Sequence, residues 1–428
     1  MKIGFSTFVM QGGKSGVASY IRALVKQLQV EDHEHFYELL MAKDEADLIP
    51  LTNPNFSKAL FAPFVNRPVV NIAWHNLALP ISGRAAKFDV LHIPSYRRIP
   101  MVKRSKIVAT VHDLATFSID AKYDSARMFF NRRIVPTMIR QADHIITVSQ
   151  YTKDDIVRLI GYPEDRISVI YSGIDRKIFK PTEKADAQAQ LKEAHGMDRP
   201  FLVYLSRLEH PAKNHVSLIE AFEAFKKKHD SPHQLVLAGA DWNGADAIRA
   251  RAEASAVKDD IIFLGFAPLA SLPLLYAGCD LMVYPSLFEG FGFPIIEALA
   301  CGAPVICSNT SSMKEIAGDL VPTFDPMQIE EIERTLEKAL DDGWTENQRQ
   351  QGIAYASTFE WSRAAQETIR AYELVVLGGV SGGPPFNEIR GGLQINLNAL
   401  CRKIPLMTNE DTVPLLFQCE NLPSGRFL

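Results

Sequence analysis

Short apolar runs of strand length alternate along this chain with longer, amphipathic segments. In the first half the apolar runs lie at residues 3–8, 90–93, 107–111, 145–148 and 169–171. The second half repeats the rhythm at residues 201–205, 235–238, 261–263, 281–284 and 305–307, with helix-like stretches such as 216–228 between them. Alternation of strand and helix is typical of parallel sheets covered on both faces. The pattern therefore predicts an α/β fold with two doubly wound parallel sheets.

The chain is too long for one ordinary hydrophobic core. It has 428 residues, of which 47% are hydrophobic, so two domains are expected. The boundary is predicted in the Gly- and Pro-bearing stretch 173–182, which divides residues 1–178 from residues 179–360. A last helix is predicted over residues 361–377, packing back onto the first domain. Residues 378–428 lose the alternation, and no structure is predicted for them.

Bulk charge and cysteine content limit the partners and the location. The net charge is -4 and charged residues make up 22% of the chain, which does not indicate nucleic-acid binding. The cysteines are odd in number and lack zinc-site spacing, so reduced thiols are expected. They are Cys279, Cys301, Cys307, Cys401 and Cys419. No secretory signal is seen, and the apolar stretch 272–288 is too interrupted for a membrane span, which indicates a cytoplasmic protein.

Two glutamates, Glu289 and Glu297, bracket a glycine-containing loop that follows a predicted strand and leads into a predicted helix. Pro294 suits the first turn of that helix, and Gly302 lies just past its end. A loop that enters a helix at the carboxyl end of a strand presents backbone N–H groups and the positive end of the helix dipole. Such a place suits a phosphate.

The two carboxylates favour neutral hydroxyl groups as partners, because a carboxylate beside a phosphate would repel it. A sugar and a ribose supply such hydroxyls. The alternative for Glu297 is an exposed acid near the start of the helix, stabilised by the dipole, with the glycines serving only the turn. From the residues alone, both interpretations of Glu297 stay open.

A resemblance to a known family rests on these glutamates and their loop, Glu289-Gly290-Phe291-Gly292-Phe293-Pro294-Ile295-Ile296-Glu297. The segment resembles the signature of the family-four (group 1) retaining glycosyltransferases, in which two glutamates are separated by seven residues. The likeness covers about residues 1–377. It implies the GT-B architecture, in which two Rossmann-like domains face a central cleft, with the acceptor on the first domain and a nucleotide-sugar on the second. It also implies that Glu289 holds hydroxyls of the donor sugar and that Glu297 binds the ribose. The amides of Phe291, Gly292 and Phe293 would line the sugar and phosphate.

Two cations, Arg207 and Lys213, follow the first predicted strand of the second domain. A leaving nucleoside diphosphate needs its growing negative charge neutralised, and these cations can do so electrostatically. The pair resembles the family's diphosphate clamp, although its gap is one residue longer than the commonest form. A solvated pair of loop side chains is the alternative. The sequence has no Asp-x-Asp motif for Mg²⁺, so neither a metal nor another cofactor is expected.

The first domain offers two further candidates. Gly13 lies in the loop 11–16 after the first predicted strand, where the residues alone indicate only a tight turn. His112 ends another predicted strand, at the edge of a parallel sheet where ligands bind, with a structural role as the alternative. The resemblance implies that Gly13 approaches the donor phosphate and the acceptor. It implies that His112 faces the donor sugar as a catalytic residue.

A basic segment at residues 96–106 is a candidate for contact with anionic lipid headgroups, because many relatives in this family act on lipid-linked acceptors. A solvated loop is the alternative, and no amphipathic aromatic helix beside the segment decides between them. The expected location is the cytoplasm, with peripheral contact at the inner membrane face left open.

The resemblance implies a retaining, metal-independent glycosyltransferase that moves a sugar from a nucleotide-diphosphate donor to a hydroxyl of a glycan or lipid-linked acceptor. GDP-mannose is the first expected donor and a UDP-sugar the second, since residues 206–215 are similar to mannose-transferring members. No carboxylate of the motifs is an obvious covalent nucleophile, which favours a front-face route. A nucleotide-sugar epimerase and a non-catalytic nucleotide-sugar sensor are the alternatives.

Overall fold

A computed structural model describes residues 1–13, 15–118 and 130–378. Two parallel sheets dominate it, which confirms the predicted α/β class with two doubly wound parallel sheets. The first sheet has seven strands in the order β3-β2-β1-β4-β5-β6-β7, and the second has six in the order β10-β9-β8-β11-β12-β13. The strands of the first sheet are Lys2–Ser6, Phe36–Ala42, Phe56–Phe61, Val90–Ile93, Lys106–Val111, His144–Thr147 and Ile167–Val169. Those of the second are Phe201–Leu205, Gln234–Ala238, Ile261–Gly265, Leu281–Tyr284, Val305–Ser308 and Thr323–Phe324.

Helices connect successive strands and cover the faces of the sheets. In the described residues the helices of the first half are Gly16–Glu31, Pro68–Ala73, Leu79–Ile81, Ala115–Ser118, Val135–Ile139 and Gln150–Ile160. Those of the second half are Lys184–His195, His215–Lys228, Ala245–Glu253, Leu272–Gly278, Phe293–Ala300, Met313–Ala317, Ile329–Asp342, Glu346–Ala356 and Trp361–Val376. Because every strand pair is parallel, the loops that follow the strands gather along one edge of each sheet.

The strand boundaries differ from the sequence prediction at the margins of the first sheet. Strands β2 and β3 were not predicted, because β2 carries the charged Glu38 and β3 is an edge strand with Lys58 and the exposed Leu60. Strand β7 lies at Ile167–Val169, two residues before the predicted run 169–171. Central strands such as β4, which is buried throughout, lie where they were predicted.

The chain passes between the two sheets twice, and the two passages contact each other. The Ile174 N–H donates to the carbonyl of Phe359 at 3.0 Å. A Cβ on Gly173 would lie 2.2 Å from the backbone nitrogen of Trp361, so only glycine permits this approach. The predicted boundary at 178/179 falls in this packed stretch and stays a prediction.

The helix Trp361–Val376 packs against the helix Gly16–Glu31 and against strands of the first sheet. Its buried Tyr372 shares a 2.6 Å hydrogen bond with Nδ1 of His92 on β4. The helix ends at Val376, and Gly378, two residues further on, has a φ of +71°, the left-handed conformation that glycine tolerates. Residues 379–428, and with them nearly all of the predicted tail, lie outside the described residues.

Two further sequence predictions concern cysteines and membrane spans. Cys279, Cys301 and Cys307 are buried free thiols, and burial raises the pKa of each. Cys401 and Cys419 lie outside the described residues. Within the described ranges no helix is both long and apolar enough to span a bilayer. The stretch 272–288 contains the helix Leu272–Gly278 and strand β11, and strand β11 lies where it was predicted.

Candidate active site

The loop after β11 carries the predicted glutamate pair and leads into the helix Phe293–Ala300. Gly292 caps this helix with a φ of +100°, a conformation that a residue with a Cβ rarely adopts, and Pro294 lies in the first turn. The helix therefore begins at the carboxyl edge of the second sheet, with its first backbone N–H groups directed to that edge. This is the arrangement that binds anionic groups in doubly wound folds.

Glu289 is the centre of a compact hydrogen-bond cluster in this loop. Its Oε1 accepts from Lys213 Nζ at 2.5 Å, from Ser286 Oγ at 2.7 Å and from Tyr284 Oη at 2.8 Å. Burial acts to raise the pKa of Glu289, but the ammonium of Lys213 and the two hydroxyls hold the pKa below its usual value. Within the described chain all of these bonds go to Oε1, so Oε2 of an ionised carboxylate is left for a ligand hydroxyl.

Lys213 is held in place by both neighbouring strands. The side chain of Tyr204, at the end of β8, donates to the carbonyl of Lys213 at 2.8 Å. The preceding residue, Ala212, accepts from the backbone N–H of Leu287 at 3.0 Å, which joins the loop after β8 to the loop after β11. With its side chain 15% exposed and paired to Glu289, Lys213 is not a freely solvated loop residue.

Arg207 lies nearer to solvent than Lys213, with 46% of its side chain exposed. It pairs with Oε2 of Glu209 at 3.0 Å, and its guanidinium lies 4.7 Å from the centre of the Trp242 ring. Among the described residues no hydrogen bond or ion pair joins Arg207 to Lys213 or Glu289. The structure brings Lys213 and Glu289 together and leaves Arg207 at the rim of the same loop.

Glu297 lies on the helix Phe293–Ala300 with its carboxylate turned inward. Its Oε2 accepts from the hydroxyl of Tyr276 at 2.9 Å. Burial raises the pKa of Glu297 to about 7, and the Tyr276 hydrogen bond only partly opposes this. No cation lies within ion-pair distance of it in the described ranges. Glu297 is therefore a half-buried carboxyl and not an exposed acid at the helix start.

Sequence reasoning missed the serines that hold the glutamate loop from behind. Ser312 Oγ donates to the carbonyls of Glu289 at 2.9 Å and Phe291 at 3.1 Å, and Ser311 Oγ accepts from the Glu289 N–H at 3.0 Å. Ser311 has a φ of +52°, which is uncommon for a residue other than glycine. The signal available in the sequence was the Ser-Ser pair that follows β12 at the same sheet edge.

The aromatic side chains of the loop pack toward the first domain. The Phe291 and Phe293 rings lie 5.0 Å apart, and Phe293 stacks on Trp361 with 6.4 Å between ring centres. Trp361 in turn contacts Tyr20 of the helix Gly16–Glu31. These side chains fix the loop, while the predicted contacts with a sugar and phosphate would be made by its backbone amides.

His112 lies where the two domains meet. A Cβ on Gly290 would lie 1.9 Å from the His112 carbonyl oxygen, so the glutamate loop touches the backbone of this residue directly. Burial lowers the pKa of His112 to about 4, which leaves the imidazole neutral at physiological pH. Its Nε2 is buried without a hydrogen-bond partner among the described residues. The Tyr20 ring stands perpendicular to the imidazole at 4.7 Å.

The loop that contains Gly13 borders a cavity in the first domain through the preceding residue, Gly12. Gly13 has a φ of +81°, and the neighbouring Gly12 N–H donates to Oε1 of Glu45 at 2.6 Å. The cavity holds about 540 Å³ and is lined in part by Gly12, Glu45, Asn66 and Arg67. Glu45 Oε2 and Asn66 Oδ1 are buried and lack a partner in the described part of the chain. Lys14 lies outside the described residues, and no hydrogen bond in the described ranges joins the loop to Glu289.

A further contact between the domains was not predicted. Glu315, on the helix Met313–Ala317, accepts from the backbone N–H groups of Gln150 at 2.7 Å and Tyr151 at 3.0 Å. These N–H groups form the start of the helix Gln150–Ile160 in the first domain, where a negative charge is stabilised by the dipole. Glu315 therefore caps a helix of the opposite domain. In the described ranges no group of three or more His, Cys, Asp and Glu side chains is arranged to hold a metal ion.

Comparison with known proteins agrees with this arrangement of two domains. Residues 187–358 match the family model of the group 1 glycosyl transferases, and residues 14–177 match that of glycosyltransferase family 4. O-antigen chain mannosyltransferase B of Escherichia coli is 30% identical over 385 residues, which cover 88% of this chain and 100% of that relative. The chain belongs to the group 1 glycosyltransferases. The predicted family is thereby confirmed.

Other relatives of this glycosyltransferase match over a smaller share of their length. The serotype-specific mannosyltransferase WbdA of Escherichia coli is 28% identical over 273 residues, which are 62% of this chain but only 33% of that protein. A D-inositol 3-phosphate glycosyltransferase of Segniliparus rotundus is 24% identical over 306 residues, covering 68% of this chain and 64% of that enzyme.

Solved structures share the fold of this glycosyltransferase at low sequence identity. Sucrose-phosphate synthase from Thermosynechococcus elongatus superposes with a TM-score of 0.71 at 18% identity, covering 89% of this chain and 100% of that chain. The Anabaena protein HepE, in complex with UDP and glucose, gives a TM-score of 0.66 at 19% identity, covering 87% and 99%. These likenesses support the fold and do not by themselves assign residue roles.

Proposed function

We propose that this glycosyltransferase is a retaining mannosyltransferase that moves mannose from GDP-mannose to a hydroxyl of a glycan or lipid-linked acceptor. The similarity to mannosyltransferases of Escherichia coli supports mannose as the sugar. A UDP-sugar is the second candidate donor. Cytoplasmic location with peripheral membrane contact near residues 96–106 is part of the same proposal.

The observation that carries the proposal is the buried pair of Lys213 and Glu289 beside a helix start. One partner supplies a positive charge for a diphosphate, and the other keeps one carboxylate oxygen available to a sugar hydroxyl. A simple structural ion pair would have no reason to lie at the carboxyl edge of the sheet with a free carboxylate oxygen. His112, whose backbone carbonyl touches the loop at Gly290, has a neutral imidazole with a buried, unpaired Nε2.

The proposed roles follow from these contacts. The ionised form of Glu297 accepts hydrogen bonds from the ribose, and the loop amides and helix start bind the diphosphate. Glu289 Oε2 and His112 Nε2 bind hydroxyls of the sugar, which orients its C1 atom. Lys213, with Arg207 at the rim, neutralises the charge that develops on the leaving diphosphate.

In the proposed reaction the bond between C1 and the diphosphate oxygen breaks, and its electron pair stays on the diphosphate. The acceptor hydroxyl oxygen forms the new bond to C1 on the same face, and its proton passes to an oxygen of the leaving phosphate. This front-face route gives retention of configuration without a covalent enzyme intermediate. The cations of the chain take the part that a metal ion plays in other transferases, so we propose that no metal is needed.

The acceptor is proposed to bind in the cavity beside Gly12. Glu45 Oε2 and Asn66 Oδ1 are buried hydrogen-bond acceptors without partners in the described residues, and leaving such atoms unpaired is costly. Hydroxyl groups of a sugar are donors that satisfy both atoms. Asp44 and Arg67 also line the cavity, so it offers further hydrogen-bond partners of both charges for sugar hydroxyls.

The test is turnover with a panel of GDP- and UDP-sugars in the presence of EDTA, with nucleotide release and sugar transfer followed separately. We expect release and transfer with GDP-mannose, and the α configuration of the donor retained in the product by NMR. Glu289→Gln should lower the rate by about a hundredfold or more while leaving the circular dichroism spectrum unchanged. A sensor would bind donor without releasing nucleotide, and an epimerase would alter the sugar without an acceptor. Either result, or full activity of the variant, contradicts the proposal.

A further inference from the structure

The side chain of His112 is held in one protonation form by its hydrogen bond to the chain. The imidazole bonds to the backbone of Pro94, and a proline has no backbone N–H, so the Pro94 carbonyl accepts and an imidazole N–H donates. Nε2 has no partner among the described residues, so the donating group is Nδ1–H. Burial lowers the pKa of His112 to about 4, and a neutral imidazole carries only one ring N–H proton. Its Nε2 is therefore bare and can only accept a hydrogen bond.

Tyr20, on the helix Gly16–Glu31, packs against this imidazole. The two rings are nearly perpendicular, at 86°, with 4.7 Å between their centres, and Tyr20 is buried. The Tyr20 hydroxyl lies 3.3 Å from Oγ1 of Thr110. Thr110 is on β5 and His112 follows two positions later, so the two side chains share one face of the sheet. Tyr20 thus bridges this face, with its hydroxyl on Thr110 and its ring on His112.

A chain of buried hydrogen bonds fixes the Thr110 hydroxyl. Nε2 of His92, on β4, lies 2.8 Å from Thr110 Oγ1, and Nδ1 of His92 lies 2.6 Å from the Tyr372 hydroxyl. All three side chains are fully buried. Burial lowers the pKa of His92 to about 3, so its ring is neutral and each ring nitrogen has a neutral hydroxyl as its partner. Thr110 is therefore a fixed partner, and the ring of Tyr20 is held in place from its hydroxyl end.

A row of aromatic rings joins Tyr20 to the loop that carries Glu289. Trp361 lies 5.8 Å from Tyr20, and it stacks on Phe293 with 6.4 Å between ring centres and 24° between ring planes. Phe293 is the first residue of the helix whose start is proposed to bind the diphosphate. Edge-to-face and stacked contacts between rings are favourable, so each ring stabilises the orientation of the next. The row of Phe293, Trp361, Tyr20 and His112 therefore links the two halves of the candidate site.

We infer that Tyr20 is a positioning residue, which holds the imidazole of His112 so that Nε2 accepts a hydrogen bond from a hydroxyl of the donor sugar. This role of Tyr20 rests on the proposed function, in which His112 binds that sugar. A hydrogen-bond acceptor held in this way orients the sugar without exchanging a proton with it. Because Nε2 has no proton to give to the leaving diphosphate, the charge of that group is left to Lys213 and Arg207. Tyr20 itself needs no contact with the substrate.

The first test compares Tyr20→Leu with Tyr20→Phe. Release of GDP from GDP-mannose, with methyl α-mannoside as the acceptor, gives kcat and KM. Tyr20→Leu removes the ring and should lower kcat about tenfold or more, while KM for GDP-mannose changes by less than about twofold, because the nucleotide contacts lie in the second domain. Tyr20→Phe keeps the ring and should retain at least about half of kcat, since only a 3.3 Å hydrogen bond is lost. An unchanged kcat in Tyr20→Leu, or an equal loss in Tyr20→Phe, overturns the proposed role.

A second substitution decides whether Tyr20 acts through His112. In a chain that carries His112→Ala, adding Tyr20→Leu should lower kcat by no more than about twofold, because the side chain that Tyr20 positions is gone. Two independent losses overturn the proposed role. Tyr162→Leu is the matched control, since Tyr162 is a buried tyrosine whose hydroxyl donates to the Ala142 carbonyl at 3.0 Å. Both residues precede strands and so lie at the sheet edge opposite His112. This control should lower the melting temperature but not kcat, and a loss of kcat equal to that of Tyr20→Leu also overturns the role.

Nitrogen NMR of the full chain with isotope-labelled histidine tests the tautomer of His112 without turnover. The His112 signals are those that disappear in His112→Ala. In the unmodified chain we expect the shifts of a ring protonated at Nδ1. In Tyr20→Leu we expect shifts between those of the two tautomers, because the released ring no longer keeps its bond to Pro94 at all times. Protonation at Nε2 in the unmodified chain, or unchanged shifts in Tyr20→Leu, overturns the proposed role. If no donor is turned over, the proposed function fails, while these shifts still decide whether Tyr20 holds the imidazole.

Discussion

Replacing Lys213 with methionine isolates the electrostatic role of the buried pair. The change leaves the carboxylate of Glu289, only 15% exposed, with the neutral hydroxyls of Ser286 and Tyr284 as partners. Removing one member of a buried ion pair costs about 3 to 5 kcal/mol, and the partial exposure favours the lower value, about 3 kcal/mol. At about 2 to 4 °C for each kcal/mol in a domain of this size, the melting temperature should fall by about 6 to 12 °C.

The pH dependence of this loss has a definite sign. In the native chain the pKa of Glu289 is held below its usual value, so the pair stabilises the fold above the unfolded pKa and is lost as pH falls through the folded pKa. Without Lys213, burial dominates and raises the pKa of Glu289 above its usual value. The carboxylate then destabilises the fold at neutral pH, and the penalty disappears as pH falls through the raised pKa. The gap between the melting temperatures of the two proteins should therefore narrow as the pH falls below neutrality.

Thermal unfolding across this pH range measures the effect, and Lys213→Met/Glu289→Gln completes the comparison. The double variant has no uncompensated charge and should recover most of the lost stability, although it should not transfer sugar. Lys228→Met breaks a surface pair with Glu337 that is 2.6 Å long but 56% exposed on the lysine side, so it should lower the melting temperature much less than Lys213→Met does. A loss that is independent of pH, or a double variant no more stable than Lys213→Met, would refute the reasoning.

Three further predictions concern single residues of the site. Burial raises the pKa of Glu297 to about 7, and the ribose needs the ionised carboxylate. Nucleotide affinity measured by calorimetry should therefore rise about tenfold from about pH 6 to about pH 8, and Glu297→Gln should remove this pH dependence. Gly290→Ala places a Cβ against the carbonyl of His112 and should lower transfer by about a hundredfold, whereas Gly16→Ala, in open space, should not. Glu315→Gln removes the charge that caps a helix across the domains, so it should cost about 1 kcal/mol and increase the radius of gyration in solution scattering; an unchanged radius would contradict this role.

The sequence predicts the parts of the fold in which both faces of a strand are buried. Strands β8 and β11 are continuous apolar runs, and such runs are characteristic of central parallel strands. Edge strands such as β3 mix exposed and buried positions and gave no comparable signal. The contact between the two chain passages at Gly173 and Trp361 could not be predicted either. The only trace of such a close backbone approach in the sequence is a glycine, and glycines have many other uses.

The members of the site were predictable, whereas their pairing was not. Lys213 and Glu289 are 76 residues apart, and they meet because β8 and β11 are neighbours in the sheet. Strand order is a property of the whole sheet and cannot be read from a single motif. Taken motif by motif, the sequence therefore assigned Lys213 to the diphosphate and Glu289 to the sugar without predicting their contact. In the structure the charge of Lys213 offsets the cost of burying the Glu289 carboxylate, and the charge of Glu289 offsets the cost of burying Lys213.

The exposed side of residues 68–81 could not be predicted for a different reason. Residues 68–81 present one stripe with Asn71 and His75 and another with Val69, Leu77 and Ile81, and the ordinary rule places the polar stripe in solvent. Here Ser6 and Arg98 lie in the core as partners for the polar stripe, which is therefore satisfied inside. Burial of the polar stripe forces the apolar stripe outward. Amphipathic spacing in a sequence thus defines two sides of a helix, but only the hydrogen-bond partners contributed by distant strands and loops decide which side is exposed.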